Sequence, residues 1–230
     1  MQIKAVGFDV GQTLVDYNAP LSWKSLFPDA LQSTMRALSI SSTSKNLELA
    51  SKVLSKYNTR ENYREFEVSS DLIFGEILNA WACDYEMLGE TKKAFYSFFQ
   101  SKAVFFEETT AVLHSLSSRS ILLGFLTDVA YGMDNIYALA DIEEIRAYFD
   151  AGFTSVDIGF RKPNTKGFEK LLQALDVSPS QMLYVGDEEK DIVGASNAGI
   201  ISVLVNRSDV EKDLGQKYTI KSLHEILDIL

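Results

Sequence analysis

Two rhythms of apolar and polar residues run along the chain. Short apolar runs closed by turn residues occur at Ile3 to Phe8, Ile121 to Leu126, Ala151 to Ser155, Met182 to Val185 and Ile201 to Val205. Runs of this length bounded by Gly, Asp or Asn read as buried strands. Tyr218 to Ile220 reads as a short edge strand. Helical spacing fills the intervals. Val112, Leu113 and Leu116 mark a helix over Thr109 to Ser118, and Phe168, Leu171, Leu172 and Leu175 mark one over Asn164 to Leu175. Asp134 to Ala140, Ile142 to Tyr148, Asp191 to Ala198 and Ser222 to Leu230 are the other helical stretches. Strands separated by helices of this length predict an α/β fold, with a doubly wound, mostly parallel sheet and helices on both faces.

One interval breaks the rhythm. From about Leu26 to Phe99 the apolar residues recur at helical spacing with no convincing strand among them. The four faces are Leu26, Ala30, Leu31 and Thr34; Ala50, Val53, Leu54 and Tyr57; Ile73, Ile77, Ala80 and Trp81; and Phe95, Phe98 and Phe99. So many helices after a single strand predict an inserted bundle rather than one crossover. The expected organisation is an α/β core from residues 1–16 and 106–230, with a helical domain over 17–105. The linkers fall near Val15 to Pro20 and Ala103 to Glu107.

Composition narrows the classes of partner. A net charge of −10 argues against a nucleic-acid or anionic-membrane surface as the main partner. It leaves room for small anions, because a bound cation can invert the local field. Cys83 is the one cysteine, so neither an intrachain disulfide nor a cysteine-rich metal cluster can form. With no signal-peptide pattern at the N-terminus and no apolar run long enough to span a bilayer, a cytoplasmic protein is expected.

The chemistry collects at the strand ends. Asp9 follows the first strand, Thr127 and Asp128 the second, and Asp187 with Asp191 the fourth; Lys162 lies in the loop after the third. In an open parallel sheet these ends face one crevice. Carboxylates converging without His or Cys suit a hard cation, of which Mg²⁺ is the common one. Lys162 brings a positive charge and Thr127 a hydroxyl. Helix starts beyond the strands bring backbone N–H groups. Such a set suits phosphoryl transfer, in which one Asp attacks while cation, ammonium and hydroxyl offset the charge. Each residue also has an ordinary explanation, as a turn former, a helix cap or a solvated lysine; the joint arrangement is what points to chemistry.

Four stretches resemble the haloacid dehalogenase-like (HAD) hydrolase superfamily. They are Phe8-Asp9-Val10-Gly11-Gln12-Thr13-Leu14, Gly124-Phe125-Leu126-Thr127-Asp128, Gly159-Phe160-Arg161-Lys162-Pro163-Asn164, and the run from Val185-Gly186-Asp187 through Asp191 to Ala195. The resemblance implies a Rossmann-like core with a helical cap of the first type. It implies Asp9 as the nucleophile forming an aspartyl-phosphate, Thr127 and Lys162 as binders of the phosphoryl group beside Asp128, and Mg²⁺ held by Asp9, the main-chain carbonyl of Gly11, Asp187 and Asp191. The substrate implied is a small phosphorylated metabolite.

The resemblance also exposes a departure. Phosphatases of this superfamily usually carry a second Asp two residues after the nucleophile, as general acid and base. Gly11 stands at that place. Glu188, Glu189, Asp128 or a cap residue are the candidates to replace it. Alternatives are a non-catalytic or weakly active phospho-ligand or protein binder, and a phosphonatase- or dehalogenase-like hydrolase. A phosphonatase would need a cap lysine, from among Lys24, Lys45, Lys52 and Lys56. Tyr57, Arg60, Tyr63 and Arg64 read as a solvated interhelix loop, with a substrate-reaching role as the rival. Phe95, Tyr96, Phe98, Phe99, Phe105 and Phe106 read as core and hinge packing, His114 and His224 as surface residues, and Cys83 as buried.

Overall fold

The computed structural model describes residues 2–18 and 23–230. Its main sheet has strands β1 (Ala5–Phe8), β4 (Leu122–Thr127), β5 (Ala151–Thr154), β6 (Met182–Gly186), β7 (Ile201–Val205) and β8 (Tyr218–Ile220). They lie side by side in the order β5-β4-β1-β6-β7-β8, and every neighbouring pair is parallel. The chain builds outward from β1 to β4 and β5, then returns to the other side of β1 for β6 to β8. The order therefore reverses at β1, and the carboxyl end of β1 opens onto the crevice where such sheets bind ligands.

Alternation along the strands explains the layering. Val6, Phe8, Leu123, Phe125, Leu183, Val185, Val203 and Val205 point to one face, where Val112, Leu113 and Leu116 of α5 (Thr109–Ser118) and Ile226 of α10 (Ile226–Ile229) cover them. Ala5, Leu126, Met182 and Tyr184 point to the other face. Phe168, Leu171 and Leu175 of α8 (Lys166–Leu175) and Ala195 of α9 (Glu189–Asn197) cover these. Helices on both faces follow from strands that are apolar on both sides. The helical stretches at Ile142 to Tyr148 and Ser222 to Leu230 differ in kind from expectation. The first is a 3₁₀ segment, Ala140–Tyr148, and the second a 3₁₀ turn, Leu223–Glu225, running into α10. Helix α9 starts earlier than expected because Glu188, not Asp191, is its N-cap; Asp191 Oδ2 accepts from the Glu188 N–H at 3.0 Å.

Helices α1 (Phe27–Ala37), α2 (Ser44–Tyr57), α3 (Ser70–Ala80) and α4 (Leu88–Gln100) occupy the interval read as helical and share a core of their own. Phe74, Phe95 and Tyr96 meet edge to face at its centre. Val129, Tyr131 and Met133, from the loop after β4, belong to the same cluster and key the helices onto the sheet edge. The short helices α6 (Asn135–Ala138) and α7 (Ser155–Ile158) complete the connections beside β4 and β5. Phe95, Tyr96 and Phe99 are buried, whereas Cys83 is only half-buried against the cluster, because it lies beyond the end of α3 rather than on its packed face. His114 and His224 are exposed.

Strand pairing also appears where none was expected. The two chain passages into and out of the helical layer pair antiparallel, β2 (Val15–Asp16) against β3 (Val104–Phe105). Ala19 and Pro20, the last residues of the first expected linker, lie outside the described residues. Farther along the crevice, Phe66 bridges antiparallel to Phe160. There the Glu67 N–H donates to the Gly159 carbonyl at 3.0 Å, and the Arg161 N–H to the Glu65 carbonyl at 2.8 Å.

Gly132 sits where these two layers touch. Its φ is +63°, and a Cβ there would lie 1.9 Å from the Val68 carbonyl oxygen and 2.8 Å from the Ser70 nitrogen. Both the backbone conformation and the space exclude a side chain. Gly132→Ala should destabilise the fold by about 2–4 kcal/mol, read as a lowered urea midpoint. An unchanged midpoint would show that the β4 loop does not clamp the helical layer as described.

Candidate active site

The site is assembled on the loop that leaves β1. Asp9 ends the strand, its N–H donating to the Val185 carbonyl at 2.8 Å. The chain then folds back tightly, with the Leu14 and Val15 N–H groups both donating to the Val10 carbonyl, at 2.9 and 3.0 Å. Gln12 takes a φ of +59° within this turn. Arg207, beyond β7, fixes it from outside. Its guanidinium donates to the carbonyls of Gln12 (2.9 Å) and Thr13 (3.0 Å), pairs with Glu108 and stacks on the Phe106 ring at 3.7 Å. A planar fork that donates in two directions suits this task.

Lys162 joins the strand ends electrostatically. Its Nζ lies 2.6 Å from Asp9 Oδ1 and 2.6 Å from Asp191 Oδ1, and it donates to the Leu126 carbonyl at 3.1 Å. All three charged residues are nearly inaccessible: Asp9 is 5% exposed, Lys162 4% and Asp191 0%. Burial acts to lower the Lys162 pKa, but Asp191 and Asp9 outweigh it and hold the ammonium protonated well above the usual lysine range. Burial pushes Asp9 up to about 6, aided by repulsion from Asp191 and opposed by Lys162. Asp187 is pushed up to about 8 by burial, then by Asp9 and Asp191.

These last shifts bear on metal binding. Carboxylate oxygens of Asp9, Asp187 and Asp191 all lie within 4.8 Å of one another. The Thr13 hydroxyl donates to Asp187 across 3.4 Å. One ammonium cannot neutralise three carboxylates, and the raised pKa values of Asp9 and Asp187 reflect burial together with the repulsion left over. An all-oxygen donor set under mutual repulsion fits a hard divalent cation.

The expected residues meet at one cavity of about 450 Å³. Asp9, Gly11, Thr127, Asp128, Lys162 and Asp187 line it, while Asp191 sits beneath the surface behind Lys162. Asp128 has an anchoring position. It accepts from the Lys162 N–H at 3.1 Å and faces Lys190 (3.4 Å) and Arg161 (3.8 Å). Burial alone would raise its pKa; Lys190, Arg161 and Lys162 together bring it below the ordinary value. Arg161 in turn pairs with the buried Glu67 of the helical layer, whose carboxylate also accepts from Ser155.

The helical layer forms the opposite wall. Tyr57, Arg60, Tyr63 and Arg64 all line the cavity; Arg60 and Tyr63 are exposed, as a solvated loop would be, whereas Tyr57 is buried and Arg64 half-buried. The pairing of residues 65–67 with the Gly159–Arg161 loop draws that segment over the crevice. Arg60 reaches Glu188 at 2.8 Å, and the Arg64 guanidinium donates to the Tyr57 carbonyl at 2.6 Å. Trp23 stacks on Phe99 with ring centroids 3.7 Å apart, and with Tyr131 and Met133 they make an aromatic wall. None of Lys24, Lys45, Lys52 and Lys56 lines the cavity. Tyr17 and Asp141 also line it and carry no recognisable sequence context.

Comparison with known proteins agrees with this geometry. A glyceraldehyde 3-phosphate phosphatase of Methanothermobacter thermautotrophicus is 28% identical, over 99% of this chain and 100% of that one. Among solved structures, a HAD phosphatase from Thermococcus onnurineus superposes with a TM-score of 0.67 at 24% identity, covering 99% of this chain and 97% of that chain. A 2-haloacid dehalogenase from Pseudomonas syringae gives 0.70 at 21% identity, covering 99% and 98%. At such identities the two structures speak to the fold alone. The family model described as haloacid dehalogenase-like hydrolase matches residues 8–205, which hold Asp9, Thr127, Lys162, Asp187 and Asp191 alike, and the chain belongs to that family.

Proposed function

We propose that this hydrolase is a Mg²⁺-dependent phosphatase of small phosphorylated metabolites, working through an aspartyl-phosphate on Asp9. The observation that carries the reading is the convergence of Asp9, Lys162, Asp187 and Asp191 at one cavity, with Lys162 2.6 Å from Asp9. Its similarity to a glyceraldehyde 3-phosphate phosphatase over nearly its whole length supports a phosphomonoester substrate.

Each residue has a task in this reading. Asp9 attacks phosphorus while the bond from phosphorus to the leaving oxygen breaks; water then hydrolyses the acyl phosphate and returns the carboxylate. Lys162 keeps Asp9 ionised and offsets charge on the phosphoryl oxygens. Thr127, at the neighbouring strand end, donates its hydroxyl to one of those oxygens. Asp128 holds the Lys162 backbone in register. Asp9, Asp187, Asp191 and the Gly11 carbonyl would hold Mg²⁺, which would supply the positive charge that the cluster lacks. Residues 17–105 act as the cap over the core of 1–16 and 106–230, and Arg60, Arg64 and the aromatic wall exclude water from the site.

A C–P hydrolase reading lacks its Schiff-base lysine in the cavity. A metal-free C–halogen hydrolase leaves the repulsion among three carboxylates unanswered.

Asp9→Asn should lower turnover of p-nitrophenyl phosphate or acetyl phosphate by more than about 10⁴-fold without unfolding the protein. Beryllofluoride binding should require both Mg²⁺ and Asp9. Wild-type protein that turns over neither substrate with Mg²⁺ and binds no beryllofluoride would end the phosphatase reading.

The metal also links to pH. Asp9 and Asp187 have folded-state pKa values near 6 and 8, above the unfolded value near 4. In the metal-free fold these two groups hold more protons than in the unfolded chain, so their contribution to stability is greatest below pH 4 and is lost as pH rises through 6 to 8. The metal-free Tm should fall between pH 5 and pH 8. Millimolar Mg²⁺ should raise Tm more at pH 8 than at pH 5, and an equal rise at both would refute the cluster as the metal site.

A further inference from the structure

Gly11 leaves a place without a carboxylate, and the structure shows what stands beside it. A Cβ on residue 11 would be in ordinary contact with the Tyr17 ring, 3.5 Å from Cε2. The Tyr17 hydroxyl donates to Asp141 Oδ2 at 2.9 Å, and both residues line the cavity that holds Asp9. Tyr17 comes from the linker after β2 and Asp141 from the 3₁₀ segment after α6. The pair thus reaches the vacant place from a different part of the chain.

Elimination among the cavity carboxyl groups leads to the same pair. Asp9 and Asp187 belong to the metal cluster. Asp128 is held ionised by Lys190, Arg161 and Lys162. Glu188 pairs with Arg60 at 2.8 Å and Lys190 at 3.1 Å, and these outweigh burial to keep its pKa low. Glu189 is exposed at the start of α9. Asp141 has no basic partner among the described residues. Tyr17 is the titratable group against it, with Glu144 of its own segment and the neutral Gln100 of α4 on the outward side. Burial raises its pKa, only partly offset by the Tyr17 hydroxyl. A carboxyl pushed toward its protonated form, with no ammonium or guanidinium beside it, suits a general acid.

We propose that Asp141, acting through the Tyr17 hydroxyl, is the acid–base pair of this enzyme and takes the place of the carboxylate missing at Gly11. The proposal rests on the phosphatase reading above. In the first half-reaction Tyr17 gives its proton to the leaving oxygen as the phosphorus–oxygen bond breaks and the bond to Asp9 forms. Asp141 gives its own proton to the Tyr17 oxygen and becomes the carboxylate. In the second half-reaction water attacks phosphorus, its proton passes to Tyr17, and the Tyr17 proton returns to Asp141. The bond from Asp9 to phosphorus breaks, so Asp9 ends as a carboxylate, Asp141 as an acid, and the products are the alcohol and hydrogen phosphate.

The test is leaving-group dependence, measured on the Mg²⁺-loaded protein. An alkyl phosphate such as glycerol phosphate needs a proton on its leaving oxygen; p-nitrophenyl phosphate does not. Asp141→Asn and Tyr17→Phe should each lower kcat/KM for the alkyl ester about 10²–10³-fold while changing it less than about tenfold for the aryl ester. With the aryl ester both variants should show a burst of p-nitrophenol followed by a slower steady state, because the water step loses its base. Tyr17→Phe keeps the ring packing and so separates chemistry from folding. Variants that lower both esters alike, or neither, overturn the relay. Wild type inactive on both esters overturns the phosphatase reading and the relay with it.

Discussion

The buried contact between Lys162 and two carboxylates is the constraint that the rest of the structure serves. Removing three charged groups from water costs several kcal/mol per ion unless their attraction and hydrogen bonds compensate. The compensation is geometric. Lys162 Nζ lies 2.6 Å from both Asp9 and Asp191, and it donates to Asp9, the Leu126 carbonyl and the Tyr184 hydroxyl. The two carboxylates and the carbonyl come from the end of β1, the first turn of α9 and the end of β4. Parallel strands adjacent to β1 bring these ends to one edge, and no local segment could have done so. The sheet order and the ion cluster therefore specify each other.

Holding the lysine loop in place draws in the helical layer. The Gly159–Arg161 backbone pairs with residues 65–67, and Arg161 is neutralised by Glu67 from that layer. Asp128 then takes the Lys162 N–H on the other side. Lys162, two residues past the bridge between Phe160 and Phe66, cannot move far without disturbing that pairing. The wall of the cavity and Lys162 are mechanically one unit, anchored a second time where β2 pairs with β3. Arg207 does the corresponding work for the β1 loop, bonding its carbonyls with a group that brings no mobile proton to the site.

Most of this was legible in the sequence because it rests on short-range pattern. Apolar runs ending in Asp or Thr placed Asp9, Thr127 and Asp187 at strand ends, and one sheet edge followed. The helical interval was legible for the same reason: Leu26, Ala30, Leu31 and Thr34, like Ile73, Ile77, Ala80 and Trp81, recur at helical spacing, and most of them are buried. What was not legible depends on contacts between residues far apart. Tyr57 to Arg64 carry the composition of a solvated loop, and only the bridge from Phe66 to Phe160 turns them toward the crevice. Tyr17 and Asp141 are 124 positions apart, and neither carries a local signal. Cys83 was misjudged because burial was inferred from residue type, whereas it lies past the last packed turn of α3.

The same distinction bears on Gly11. In sequence it is a lost carboxylate; in three dimensions it is a space shared with Tyr17. A residue that contributes only its backbone allows an aromatic ring to approach to 3.5 Å of where its Cβ would be. That ring carries a hydroxyl, and the hydroxyl is bonded to a carboxyl which, unlike Asp128 and Glu188, has no basic partner among the described residues. Charge favours a carboxyl at a distance. Near the Asp9, Asp187 and Asp191 cluster any further carboxyl would add to the burial and repulsion that already push Asp187 up to about 8. Behind a neutral phenol, burial pushes the Asp141 pKa up, with no cation beside it among the described residues to bring it back down. The glycine and the tyrosine are therefore two parts of one arrangement, in which a residue without a side chain two positions after Asp9 leaves room for a longer one to enter from the linker.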